Sequence, residues 1–244
     1  MGTGFAGAGF RATRVMQRWL ILDLCAPLMA FGDVAIDHVG PTRDFPAASM
    51  LTGLFANALG WHWSDTAAHQ TLQDRLIFGC RIEREGRLVT DSQNAKLEKN
   101  DAGWTTFGVS EGRDGASYDA PHRRRRDYLA DGAVMVVVRL SSAADTPSLA
   151  QLAEALQRPA RPLFIGRKPC LPTRSIFAGW IEAETAHAAL MAVGTSVGAR
   201  GQWPEDEGPH GDQTLGLADL RNWRSGLHGG SRIVVQGHLP KGAA

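Results

Sequence analysis

The segment Ala133–Leu140, AVMVVVRL, constrains this chain more than any other. Apart from Arg139 it is apolar on both alternations, and it is rich in β-branched residues, which favour extended backbone and pack well on a pleated surface. A strand without a polar face belongs in the middle of a sheet. The rest of the chain has to supply its neighbours and its cover.

The neighbours can be read in order. Residues 18–25 predict a strand, because Trp19, Ile21 and the flanking leucines form a buried run that Pro27 ends. Asp23 is its polar member and belongs near an end or an edge. A short extended piece is expected over 34–39. Leu51, Leu54, Phe55, Ala58 and Leu59 follow the i, i+3, i+4, i+7, i+8 spacing of a helix that buries one face, which predicts a helix over 47–60. Pro46 fits its first position, where a missing N–H costs nothing, and Gly60 closes it. Gly53 sits inside this helix at a cost of about 1 kcal/mol relative to alanine; close approach of another backbone or simple tolerance would explain it.

Further strands are expected over 76–82, 163–165, 176–182 and 233–236, and a helix over 186–193. Thr146 is expected to cap another helix, with Pro147 at its first position, an apolar face of Leu149, Leu152, Ala153 and Leu156, and Pro159 and Pro162 to end it. The order is strand, helix, strand, insertion, strand, helix, strand. This βαββαβ pattern predicts an α+β, ferredoxin-like core of the kind also used by RNA-recognition motifs. The aromatic pairs that stack bases on such sheets are not evident. The expected organisation is a flexible extension over 1–15, a core from 16–82 and 122–193, an arm over 83–121, and a loop-rich, partly β C-terminal region over 194–244.

Composition is that of an ordinary globular protein, 43% hydrophobic and 21% charged. The formal net charge of +1 speaks against a nucleic-acid partner only on average. Residues 121–175 hold ten Lys or Arg against four Asp or Glu, so a zone of +6 is offset by −5 elsewhere. Phosphate binding needs such a zone. Cys25, Cys80 and Cys170 are far apart with no CxxC pair, which argues against a structural zinc site and fits a reducing cytosol. Arg11, Arg14 and Arg18 precede the apolar run 19–31, an arrangement reminiscent of a signal peptide. Asp23 and Pro27 interrupt that run, and it is too short to span a membrane, so a cytoplasmic protein without membrane contact is expected. Met16 is an alternative start. The acidic group Glu205, Asp206, Glu207, His210 and Asp212 has metal-ligand chemistry but reads equally as a solvated loop; no metal and no cofactor is expected.

Three stretches carry the chemistry. Gly40-Pro41-Thr42-Arg43-Asp44-Phe45-Pro46 places a cation in a proline-bounded loop that leads into a helix N-terminus, where free N–H groups and the positive dipole end favour anions. The same stretch also reads as an ordinary capped helix, with Asp44 or Thr42 satisfying the first turn. The polar segment 83–121 is long for a loop in a compact domain, which makes it a projecting arm or a disordered insertion. His122-Arg123-Arg124-Arg125-Arg126 follows, able to pair with phosphates or to lie solvated. Gly166-Arg167-Lys168 combines a glycine, which lets a backbone come close, with two cations. GxGxxG and Walker A spacings are absent, so a nucleotide-fold oxidoreductase or NTPase is not expected.

Four blocks, APLMAFG (26–32), GPTRDFP (40–46), RDYLADGAVMVVV (126–138) and FIGRKPCLP (164–172), stand in order along the chain. Together they resemble the CasD family, the subunits of type I-E CRISPR Cascade complexes that bind the 5′ handle of the crRNA, within the repeat-associated RNA-binding superfamily. DSQNA (91–95) stands where that family often carries a DYHTV-like run, and the tail after Gly194 matches weakly. The resemblance implies a ferredoxin-like core with a protruding thumb at 83–121. It also implies a crRNA partner, contacts with the backbone subunit CasC and the large subunit CasA, and target DNA reached through the complex. By position it turns Arg43, Arg167 and Lys168 toward the handle; Gly166 joins the RNA-binding set because a glycine there lets a backbone approach phosphates closely. Only Arg126 of the basic run falls in a matched block; His122, Arg123, Arg124 and Arg125 join the RNA-binding set on electrostatic grounds. The expected function is non-catalytic. The alternative, a metal-independent endoribonuclease for repeat RNA, would draw on His38, His122, Tyr128 and Lys168, no two of which stand at a diagnostic spacing.

Overall fold

In the computed structural model the described residues are 15–106, 109–110, 120–142, 145–194 and 198–240. The expected extension at 1–15 and the tip of the expected arm at 111–119 lie almost wholly outside them.

The strand β1 (Gln17–Cys25) is followed by two short ones, β2 (Leu28–Met29) and β3 (Val39–Gly40), and by the helix α1 (Ala48–Ala58). Next come the helix α2 (Thr66–Arg75), the strands β4 (Leu76–Arg84) and β5 (Arg87–Ala95), and a small pair, β6 (Thr105–Thr106) with β7 (Val109–Ser110). The strands β8 (His122–Ala130) and β9 (Ala133–Leu140) lead to the helix α3 (Leu149–Gln157), the strand β10 (Phe177–Ala183) and the helix α4 (Ala186–Ala192). The strands β11 (Arg200–Pro204), β12 (Gln213–Leu217) and β13 (Arg232–His238) complete the described order. The class is α+β, as expected.

The main sheet has seven strands in the order β10-β1-β9-β4-β11-β13-β12, with every pairing antiparallel. AVMVVVRL is indeed central: β9 pairs along its length with β1 on one side and β4 on the other. Its two apolar alternations explain why helices cover both faces. Val134, Val136 and Val138 enter the larger core with Leu51 and Phe55 of α1 and Leu152 and Leu156 of α3. Val137 enters the second core with Trp19, Trp203 and Ala186, Ala189 and Leu190 of α4.

A second sheet stands apart, in the order β2-β8-β3 with β5 on the other edge of β8. The hairpin of β5 and β8 keeps an unbroken register from Arg87↔Ala130 to Ala95↔His122. The arginine run, expected to follow the arm at its base, is therefore the returning strand of that hairpin.

Several expectations are corrected. The helix α2 was not foreseen, because TAAHQTLQDR has one large aliphatic residue, Leu72, and no apolar stripe. The helix α3 is capped by Ser148, not Thr146: Ser148 Oγ accepts the N–H of Gln151 and Gln151 Oε1 accepts that of Ser148, a reciprocal capping box. Residues 163–165 form no strand; Ile165 only accepts from Ala30 N and donates to Cys170 O. Only Val39 and Gly40 of the piece expected over 34–39 and its flank are a strand. The tail is less irregular than expected: β11 pairs with β4 and β13, hidden in sequence by Gly201 and Pro204. All three cysteines are free and buried, and burial pushes the Cys80 thiol up to about 12.

Gly53 faces no backbone. A Cβ there would lie 4.0 Å from Trp223 Cη2, an ordinary contact. Gly53→Ala is therefore expected to stabilise the fold by roughly 0.5–1 kcal/mol, read as a higher denaturant midpoint. A lower midpoint would mean that the Trp223 indole cannot tolerate the added methyl.

Candidate nucleic-acid interface

The Gly166 loop is held by its backbone. Gly166 has φ +88°, and a Cβ on it would fall 1.6 Å from the carbonyl oxygen of Ala30. Only glycine fits so close an approach in this left-handed conformation. The tight turn sends Arg167 across to the second sheet. Its guanidinium donates to the carbonyls of Asp127 (2.8 Å), Gly40 (2.7 Å) and Pro41 (3.3 Å) and lies 5.0 Å from the ring centre of buried Tyr128. Arg167 is thus a strut that ties the loop to β8 and β3. Among the described residues these bonds use three of its five N–H groups.

Gly40 is the meeting point. A Cβ there would lie 2.8 Å from Arg126 Nη1 and 3.0 Å from Arg167 Nη2. The bare backbone lets both guanidinium groups close in. Side chains alternate along a strand, so Arg124 and Arg126 share the Tyr128 face of β8 while Arg123 and Arg125 point the other way. The four arginines are two pairs on opposite faces, not one cluster. Arg123, Arg124 and Arg125 are exposed and Arg126 is half-buried. Beside them Lys168 is exposed, with no hydrogen-bond or ion-pair partner among the described residues. His122 lies at the far end of β8, its ring 4.5 Å from that of Trp104.

The helix N-terminus after GPTRDFP is not open to an anion. Asp219, fully buried, already fills it: its Oδ2 accepts the N–H of Ala48 (3.0 Å) and its backbone carbonyl accepts that of Ser49 (3.1 Å). Asp44 pairs with Arg200 and Thr42 Oγ1 accepts from Phe31 N, so neither caps α1. Pro46 precedes the cap residue Ala47 rather than opening the helix. Arg43 is engaged as well, with Asp33 at 2.6 Å and the Ala218 carbonyl at 3.0 Å. The structure therefore brings Arg124, Arg126, Gly166, Arg167 and Lys168 to one region and leaves Arg43 fastening its own loop. Asp219 escaped sequence reading because nothing marks a partner 171 residues away.

Among the described residues no group of three His, Cys, Asp or Glu is placed to hold a metal ion. The acidic segment has structural work instead: Glu207 pairs with Arg139 and accepts from Ala186 N, and Asp212 pairs with His238. No helix among the described residues is long and apolar enough to cross a membrane.

The family model described as CRISPR-associated protein (Cas5) matches residues 19–235. The chain belongs to the Cas5 family. Within that family it is similar to the CRISPR system Cascade subunit CasD of Escherichia coli, 28% identical over 176 residues, which cover 72% of this chain and 77% of the relative. Its fold is similar to a chain of a CRISPR RNA-guided surveillance complex, with TM-score 0.63, 21% identity and 91% of each chain covered. It is also similar to a Cas protein crystal structure, with TM-score 0.59, 23% identity and 91% and 95% of the two chains covered. The resemblance read from the four blocks is borne out at the level of the family.

Proposed function

We propose that this Cas5 family member is a non-catalytic RNA-binding subunit of a type I-E Cascade complex in the cytoplasm. It caps the 5′ handle of the crRNA and joins the CasC backbone to the large subunit CasA, reaching target DNA only through the complex. The observation that carries this reading is the convergence of Arg126 and Arg167 on the bare backbone of Gly40, next to Lys168, which has no partner among the described residues. In it, Arg167 fixes the loop, while Arg126, Lys168 and the outward arginines of β8 neutralise handle phosphates. The order β10-β1-β9-β4, with α1 and α3 on one face, supports a ferredoxin-like core that the C-terminal strands extend. The hairpin of β5 and β8 is the stem of the thumb.

Arg126→Ala combined with Lys168→Ala is expected to weaken retention of repeat-derived RNA and to lower its log–log salt slope by about 0.7 per lost phosphate contact. Unchanged retention and slope would sink the assignment.

The endoribonuclease reading finds less support. His122 and Tyr128 are six residues apart on one extended strand, about 20 Å, too far to share a phosphate. Tyr128 is also buried. Specific cleavage of repeat RNA by the purified chain in EDTA would reverse this choice.

A further inference from the structure

The far end of α1 carries a different surface. GPTRDFP enters the helix, and Gly60-Trp61-His62-Trp63 leaves it, about 16 Å away along an eleven-residue helix. Trp63 is 75% exposed. The turn that carries it is closed by hydrogen bonds. Asp65 Oδ2 accepts the N–H of His62 (2.7 Å), Asp65 N donates to the His62 carbonyl (3.0 Å), and His62 Nδ1 is 2.8 Å from Ser64 Oγ. The His62 ring lies 5.5 Å from the Trp63 ring, tilted against it.

Behind the turn stands an aromatic stack. Trp61 meets His69 at 5.5 Å, and His69 meets Trp223 at 4.6 Å. The stack is fastened from two sides: Gln73 Oε1 accepts from Trp223 Nε1, and Arg161 donates to the carbonyls of Trp61 and Gly60. Arg161, Arg221 and Arg224 are all exposed, and none has an ion-pair partner among the described residues. Arg221 lies 5.2 Å over the Trp223 ring. Arg161, bound to the Gly60 and Trp61 carbonyls, and Arg221, over Trp223, set positive charge along the stack behind the exposed Trp63 indole, and aromatic faces with cations beside them match a ligand that has both flat π-faces and a chain of negative charge.

We infer that the turn carrying Trp63, with Arg161, Arg221 and Arg224, is a second binding surface, for single-stranded nucleic acid, at the end of α1 remote from Gly40. A base stacks on Trp63 and the arginines neutralise its flanking phosphates. The surface goes beyond the handle site and shares no residue with it.

The test uses the full chain and two fluorescein-labelled probes, oligouridine and oligodeoxythymidine, read by anisotropy at low and high salt. Trp63→Ala is expected to weaken at least one probe about tenfold, and Trp63→Phe to retain most of the binding. Arg221→Ala with Arg224→Ala is expected to flatten the salt slope by about 1.4. The Trp63 effect should persist in an Arg126→Ala/Lys168→Ala background, which separates it from the handle site. Preference for oligouridine assigns the surface to RNA; preference for oligodeoxythymidine assigns it to a DNA strand. Absence of probe binding, or a Trp63→Ala change within about twofold, overturns the proposal. So does loss of a protein subunit from the isolated complex in Trp63→Ala when both probes still bind, which would make the turn a protein contact.

Discussion

Gly166→Ala will destabilise this protein by about 3 kcal/mol or more, because it meets two obstacles at once. The first is the backbone: φ +88° is a conformation that an L side chain enters only under strain. The second is space. The new methyl would fall 1.6 Å from the Ala30 oxygen and 2.7 Å from its carbonyl carbon, and neither atom is the loose end of a side chain. The loop has to move away, and it then loses the bond from Ala30 N to Ile165 O and the three carbonyl contacts of Arg167. A denaturant titration reads the first consequence as a fall in midpoint. Retention of repeat-derived RNA reads the second, since Lys168 rides on the same loop. A midpoint that falls by less than the equivalent of about 1 kcal/mol would show that the loop is not locked in this way.

Asp219→Ala is expected to cost about 3–5 kcal/mol, the range for removing one partner of a buried ion pair. The carboxylate accepts from Arg232 Nε through both oxygens, at 3.1 and 2.9 Å, while it holds Ala48 N. Without it, the Arg232 guanidinium, packed 4.1 Å over the Phe78 ring, is left without its counter-charge, and α1 loses its cap. Asp219→Asn keeps an acceptor for Ala48 N and should cost less. Equal losses in the two variants would assign the whole effect to charge. A loss below about 1 kcal/mol in Asp219→Ala would refute the account.

What could be read from the sequence follows from how local its cause is. AVMVVVRL declared itself because two apolar alternations have no other place than a covered, doubly paired strand. The helix over 47–60 declared itself through its stripe of Leu51, Leu54 and Phe55. The cap of α1 did not, because its acceptor is Asp219, and the nearby Asp44 and Thr42 were plausible substitutes already bound to Arg200 and Phe31. The arginine run looked like a solvated charge block because β-propensity is low there; pairing with β5, not composition, makes it a strand. Once it is a strand, the alternation decides which arginines face Gly40, and no composition measure contains that information. The helix α2 and the strand β11 were missed for the same reason: each is held by what it packs against.

The Asp219 cap also orders events in time. On a ribosome, the acid that completes the first turn of α1 is made 171 residues after Ala48, on the order of ten to thirty seconds later. Over that interval the nascent helix lacks its anchor, Arg43 lacks the Ala218 carbonyl, and the β4 edge lacks β11. The helix α1 is finished by a segment synthesised 171 residues after its own first turn.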